Sequence, residues 1–213
     1  MKISVLIIMK KLINYIASQF KTPRGLIGKI CCLGMNIINK KMYRNVLKNL
    51  VADSRLKILD IGYGNGYLIK KMYAKTKADI YGTDISESMY KAASRRNRKS
   101  VKQGKVRLLT GDCCNLDFEN NTFDIVTSVN SIYFWESPIK GMQEINRVLK
   151  TNGVFINCVY SKSWLQYYQN FGYKLFEKEE LIQLGKKSGF SNVSVNEIVK
   201  GKSYLILYTK TAN

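Results

Sequence analysis

Histidine is missing from all 213 residues. Its absence removes every scheme that needs an imidazole: serine or cysteine triads with a histidine base, histidine-ligated zinc, and histidine proton shuttles. Acids are scarce, 15 Asp and Glu against 35 Lys and Arg, which leaves a formal charge of +20 and a pI near 9.7. An anionic partner becomes a candidate. With only two prolines, 46% apolar residues and 11% aromatics, the chain is neither collagenous nor compositionally disordered. At about 150 residues per domain it holds one hydrophobic core. Long apolar runs are lacking as well. Residues 3–9 are followed at once by Lys10 and Lys11, far short of the roughly 18 apolar residues of a spanning helix, and that basic pair speaks against a cleaved secretory leader. The five cysteines, Cys31, Cys32, Cys113, Cys114 and Cys158, are odd in number and show no C-x-x-C spacing. This favours reduced thiols in a cytoplasmic protein, with no metal site expected.

Composition divides the chain near residue 57. Residues 1–57 carry twelve Lys and Arg against the single acid Asp53, and their periodicity predicts helix over 3–20 and 28–51, broken at Thr22-Pro23-Arg24-Gly25. Residues 1–55 therefore read as a basic helical arm or lid, and 56–213 as the main domain. In the latter, β-branched runs at 57–61, 79–83, 105–110, 123–129 and 153–160 predict strands. Helical patterns at 67–75, 87–100 and 138–149 lie between them, and this alternation predicts a parallel sheet with helices on both faces. A last helix over 177–188 is followed by strands at 193–199 and 203–209. These two are joined by Lys200-Gly201-Lys202, too short for anything but an antiparallel hairpin.

The segment Asp60-Ile-Gly62-Tyr-Gly64-Asn-Gly66 runs from a buried strand through three glycines at alternate positions into a helix. Bare backbone there lets a ligand approach while helix N–H groups point at it, although a tight turn would use glycine too. Asp84 closes the next strand, where an acid can accept from both hydroxyls of a ribose; helix capping is the competing role, shared with Ser86. Asp112, after the third strand, could accept from an adenine amino group or simply form a turn. Asn130 and Ser131, followed by Tyr133, Phe134 and Trp135, end the fourth strand in a polar pair and an aromatic cluster. Such a cluster lines a ligand or anchors a loop.

Taken together, the glycine loop, Asp84, Gly111-Asp112, Phe123-Asp124-Ile-Val-Thr-Ser128 and Glu144-Ile-Asn-Arg147 through Gly153 resemble the class I S-adenosylmethionine-dependent methyltransferases over roughly residues 56–160. The likeness is to the broad methyltransferase-domain group acting largely on small molecules. It implies a three-layer Rossmann-like α/β fold with a seven-stranded sheet in the order 3-2-1-4-5-7-6, strand 7 antiparallel. It also implies S-adenosyl-L-methionine as cofactor. The implied positions are Asp60, Gly62, Tyr63, Gly64 and Gly66 at the methionine moiety, Asp84 at the ribose, Ile85 against the adenine, Asp112 and Cys113 at its edge, and Asn130 near the transferred methyl. Tyr63 and Asn65 depart from the small residues common in that loop. The segment Pro23-Arg-Gly-Leu-Ile-Gly28 with Met35-Asn36 is similar to an arm that lies over the cofactor in some small bacterial members, but Asn39 stands where those carry histidine.

Methyl transfer from a sulfonium needs alignment and dryness more than side-chain chemistry, so the missing histidine is tolerable. An acceptor proton would have to go to Tyr133, Tyr43, Glu136 or solvent. Between residues 88 and 110 eight Lys and Arg stand without one acid, a solvated face or a site for an acidic substrate, nucleic acid or membrane. The expected partner is a small molecule, acidic or lipid-like. A nucleic-acid methyltransferase is the alternative, disfavoured because the fourth-strand loop lacks the prolines of an Asn-Pro-Pro-Tyr motif. A NAD-dependent oxidoreductase is a further one, disfavoured because the loop is not G-x-G-x-x-G. Residues 3–20 would suit a basic amphipathic helix resting on a membrane.

Overall fold

The computed structural model describes residues 34–166, 169 and 172–212. The helix expected over 3–20, its membrane contact, and the Pro23–Gly28 and Cys31-Cys32 segments lie outside the described residues. Elements follow in the order α1 (Lys40–Lys48), β1 (Lys57–Ile61), α2 (Tyr67–Thr76), β2 (Asp79–Asp84), α3 (Glu87–Arg96), α4 (Arg98–Lys102) and β3 (Val106–Thr110). Then come β4 (Phe123–Val129), a 3-10 turn (Ile132–Phe134), α5 (Pro138–Val148), β5 (Leu149–Tyr160), α6 (Lys162–Leu165), α7 (Lys178–Lys187), β6 (Asn192–Val199) and β7 (Ser203–Thr209). The sheet order is β3-β2-β1-β4-β5-β7-β6. All pairings are parallel except those of β7 with β5 and β6. The order and the antiparallel seventh strand are those expected from sequence.

Alternation along the strands divides the core in two. Leu59 and Ile61 face a cluster closed by Met142, Ile145 and Val148 of α5 and Leu181 of α7. Ile58, Ile80 and Ile156 face the other, closed by Leu68, Ile69 and Met72 of α2 and Ala93 of α3. Met42 and Val46 of α1, buried in this second cluster beside Cys158 and Leu205, build the described end of the arm into the domain.

Three departures from expectation have a visible cause. The helix expected over 87–100 breaks at Asn97, whose Nδ2 donates to the carbonyls of Gly66 (3.1 Å) and Ala93 (3.0 Å). Strand β5 starts at Leu149 rather than 153, because Leu149 pairs with Phe123 before a bulge re-establishes register at Ile125 and Val154. The third is the short α6 over Lys162–Leu165, in a stretch given no helix from sequence, started by the Ser161 hydroxyl accepting from Trp164 N.

The Glu144–Arg147 pair of α5 explains its motif. Arg147 donates to Glu144 and to the carbonyls of Leu116 (2.9 Å) and Phe118 (2.7 Å), while Glu144 accepts from Leu116 N (2.8 Å). The pair thereby clamps the loop that follows β3. The Arg147 guanidinium beside Glu144 also holds that carboxyl below its ordinary range.

Helix α7 crosses the sheet through Gly185, where an added Cβ would stand 2.5 Å from two atoms of the Tyr208 ring. That ring is fully buried and stacked on Phe155 at 5.3 Å, so it has nowhere to go. Gly185→Ala is expected to cost about 1–3 kcal/mol, read as a lower urea midpoint at unchanged slope. An unchanged midpoint would show that the helix can lift off the ring.

Candidate active site

A cavity of about 380 Å³ opens at the carboxyl ends of β1 to β4, the edge where open parallel sheets bind ligands and a size within the range of small-molecule pockets. The β1–α2 turn forms its floor. Gly62 has φ +70° and lies so close to Ser131, after β4, that a Cβ would meet the serine's at 2.5 Å. Gly66, also at φ +70°, lets α2 start directly against Ala93 of α3. Between them the Gly64 N–H donates to Asp84 Oδ2 (2.8 Å).

Asp84 Oδ1 meanwhile accepts from Ser86 N (2.9 Å). A carboxylate offers about four acceptor positions, so two remain for the paired hydroxyls of a ribose. Burial pushes this carboxyl above its ordinary range, against the two backbone hydrogen bonds that lower it. Of the two roles foreseen for this corner, helix capping falls to Ser86, whose hydroxyl accepts from Met89 N at the start of α3.

Gly62, Tyr63, Gly64, Asp84, Ile85, Asp112, Cys113 and Asn130 all line the cavity, as do Tyr43, Tyr133 and Glu136. Two expected residues do not. Asp60 is sealed beneath the floor, 2% exposed, with Thr127 Oγ1 donating to it at 2.7 Å. Gly66 serves the turn and not the wall. Tyr63 is a buried part of the lining, its hydroxyl donating to Leu109 O (3.1 Å). The Asp112 carboxylate accepts from Cys114 N (3.0 Å), and the Cys114 thiol donates to Ser137 O (3.3 Å). Ligand atoms of Asp112, Cys113 and Cys114 lie within 4.8 Å of one another, and burial pushes the Cys113 thiol strongly upward.

Asn130 joins the arm to the site. It takes a left-handed φ of 55°, its Nδ2 donates to Asn39 Oδ1 (2.8 Å), and its Oδ1 accepts from the Tyr133 hydroxyl at 3.3 Å. The Tyr133 hydroxyl also lies 3.1 Å from Tyr160 O and accepts from Tyr160 N at 2.5 Å, and burial pushes its phenol well up. It is thus a fixed wall and not a proton acceptor, which leaves Tyr43 and Glu136 of the three candidates. Sequence reasoning missed Lys174, Gly172 and Met89, which also line the cavity. A lysine in a lysine-rich chain and a methionine at helical spacing carry no local signal.

Residues 59–157 match the family model described as a methyltransferase domain. The chain is 31% identical to a 2-methyl-6-phytyl-1,4-hydroquinone methyltransferase of Oryza sativa subsp. japonica over 147 residues, 68% of this chain and 41% of that protein. It is 28% identical to the demethylmenaquinone methyltransferase of Staphylococcus saprophyticus over 76% of this chain and 82% of that one. Its fold superposes on phosphoethanolamine N-methyltransferase 2 of Haemonchus contortus, in complex with phosphomonomethylethanolamine and S-adenosylhomocysteine, with a TM-score of 0.69 at 20% identity, covering 82% of this chain and 53% of that one. Residues 59–157 belong to the methyltransferase-domain family. The chain spans less than half the length of the plant relatives, 41% of the rice protein and 42% of one from Arabidopsis thaliana.

In this methyltransferase domain the basic stretch from 88 to 110 is partly engaged locally. Lys105 pairs with Asp79 (2.8 Å) and Lys91 with Glu87 (3.7 Å). Arg107 lies over the Tyr81 ring and donates to its hydroxyl (2.6 Å), and Arg96 donates to Asn65 of the glycine loop. These contacts favour a solvated face with one arm reaching the cofactor loop. Among the described residues no helix of the methyltransferase domain is long and apolar enough to cross a membrane.

Burial pushes the Asp60 carboxyl up to about 7, opposed by the Thr127 hydrogen bond and helped by the nearby Asp84 charge. Its unfolded value is near 3.8, so between pH 4 and 7 the folded chain holds a proton that the unfolded chain has lost. Stability therefore falls as pH rises through that window and stays lowered above it. Asp60→Asn keeps an acceptor for Thr127 but carries no charge. It is expected to melt close to wild type near pH 4 and above it at pH 8, by up to about 4 kcal/mol at roughly 1.4 kcal/mol per pH unit. Equal melting temperatures at both pH values would return Asp60 to an ordinary carboxyl.

Proposed function

We propose that this chain transfers a methyl group from S-adenosyl-L-methionine to a small-molecule acceptor. The observation that carries the proposal is the Asp84 carboxylate, tied to the Gly64 amide and still able to accept from two hydroxyls at the rim of a cavity floored by the glycine turn. The fit extends to the rest of the site. Gly64 has open space where a Cβ would project, Ile85 presents an apolar side chain beside Asp84, and Asp112 and Cys113 lie at the end of the neighbouring strand.

When bound, the sulfonium supplies a methyl that the acceptor attacks in line, the carbon–sulfur bond breaking as its electron pair returns to sulfur. The chain's own residues bind, align and exclude water. Asp84 and the glycine turn hold the nucleoside end, Asn130 and Tyr133 fix the wall beside the reacting centre, and Glu136 or Tyr43 takes the acceptor's proton. The absence of histidine is no obstacle to any of these roles.

The acceptor we infer is a lipid-like aromatic bearing hydroxyls. It is supported by the hydroquinone and menaquinone methyltransferases the chain resembles and by the wall of Tyr133, Phe134 and Trp135 in the cavity. Nucleic acid is less favoured, since half of the basic residues of the 88–110 stretch already have partners within the domain.

Calorimetry with S-adenosylhomocysteine tests the cofactor site. Asp84→Ala removes two charge-assisted hydrogen bonds of about 1.5–3 kcal/mol each, so binding is expected to weaken by about a hundredfold or more. Wild-type affinity in the variant would overturn the proposal.

A further inference from the structure

Gly172 and Lys174, between α6 and α7 in the chain, line the cavity. Their segment is stitched to the loop after β4 by three hydrogen bonds. Lys174 N donates to Tyr133 O (3.1 Å), and its Nζ donates to Trp135 O (3.0 Å) and to Glu136 O. The two carbonyls orient the ammonium without neutralising it, and among the described residues no carboxylate lies within 4 Å of it. An ammonium carries three N–H donors, so one is left over.

The position of this charge is informative. Asp84, Ile85, Asp112 and Cys113 come from the ends of β2 and β3, on one side of the glycine turn. Lys174 stands with Tyr133, Phe134 and Glu136 beyond β4, on the other side of β1. Phe134 is held edge-on by Tyr173 at 4.7 Å, so the ammonium sits against a rigid aromatic wall. A cationic acceptor would meet a like charge there. A hydroxylated ring would lie on the wall with its oxygen at the ammonium, and an opposite charge at that distance lowers the pKa of a hydroxyl by about 1–3 units.

Resting on the methyl-transfer reading, we infer that Lys174 makes the acceptor subsite one for an ionised hydroxyl on a flat apolar molecule, a phenolate or enolate. The ammonium stabilises the oxygen anion left when the proton goes to Glu136, Tyr43 or solvent, and that loss of the proton raises the electron density of the nucleophile before the methyl moves. Lys174 is a binding residue for the acceptor, and Glu136, whose backbone carbonyl accepts from that ammonium, lines the same cavity.

The test uses the whole chain saturated with S-adenosylhomocysteine and 4-nitrophenol as probe, whose phenolate absorbs in the visible. Wild type is expected to bind the phenolate at least about tenfold more tightly than the phenol, seen as a fall of about one unit or more in the probe's apparent pKa. Phenyltrimethylammonium, with a ring of the same size and a positive charge, is expected to bind at least about tenfold more weakly than the phenolate. Lys174→Gln keeps a donor for the loop carbonyls but loses the charge. It should abolish the pKa fall while leaving S-adenosylhomocysteine affinity within about twofold, and Lys174→Arg should restore most of the fall. Equal binding of phenol and phenolate by wild type, tighter binding of the ammonium probe, or a Lys174→Gln variant as selective as wild type would overturn the inference. Loss of S-adenosylhomocysteine binding in Lys174→Gln would also overturn it, by assigning the lysine to the cofactor's carboxylate. Failure of wild type to bind S-adenosylhomocysteine would instead remove the methyl-transfer reading itself.

Discussion

The hydrogen bond from the Gly64 amide to Asp84 is the contact on which the site depends. It crosses from the turn after β1 to the end of β2, so the residue proposed to hold a ribose is also the one that shapes the cavity floor. Three separate features of the chain make it attainable. Parallel pairing places the ends of β1 and β2 side by side. Gly62 allows the turn to close against Ser131, and Gly66 lets α2 begin without striking Ala93. A side chain at either glycine would move the Gly64 amide away from the carboxylate, and the defect would reach β4 through Ser131, whose hydroxyl contacts Ile61 O, Ser128 and the Trp135 indole.

Charge is distributed around that contact in a consistent way. Burial pushes both carboxyls at the centre, Asp60 and Asp84, upward. Eight of the cations stand in the 88–110 stretch toward the β3 edge, where Asp79, Glu87 and Tyr81 each hold one of them. A chain of charge +20 thus keeps a cavity wall that mixes both signs, Asp84, Asp112 and Glu136 against Lys174. Such a mixture discriminates among ligands in a way that a uniformly basic cleft would not.

Much of this was legible in the sequence because parallel strands buried on both faces must be written as short β-branched runs. Residues 57–61 and 123–129 could hardly be anything else, and the Lys200-Gly201-Lys202 spacing forced an antiparallel hairpin. Part of the cavity lining was legible where backbone geometry restricts the residue type, at Gly62, Gly64, Asp84 and Asp112. What escaped was set by partners remote in the chain. Asn97 ends a helix because the carbonyl of Gly66 is there to receive its amide. Asp60 looked like a ligand-facing acid but alternates inward to Thr127. Lys174 belongs to the cavity only because the chain doubles back over Tyr133 and Trp135, which no local pattern announces.

The order of the last two strands has a consequence for how the sheet is completed. β6 pairs with β7 alone, and β7 with both β6 and β5, so β6 has no seat in the sheet until its successor arrives. The two are joined by three residues, and a hairpin of that kind forms in microseconds, well before slower long-range parallel pairing. The ribbon can thus close early, and it joins the sheet through β7 alone. Until it docks, β5 presents a bare edge of Phe155 to Val159 that can recruit a neighbouring molecule, which makes this seam the place where crowded, half-folded chains would stick to one another.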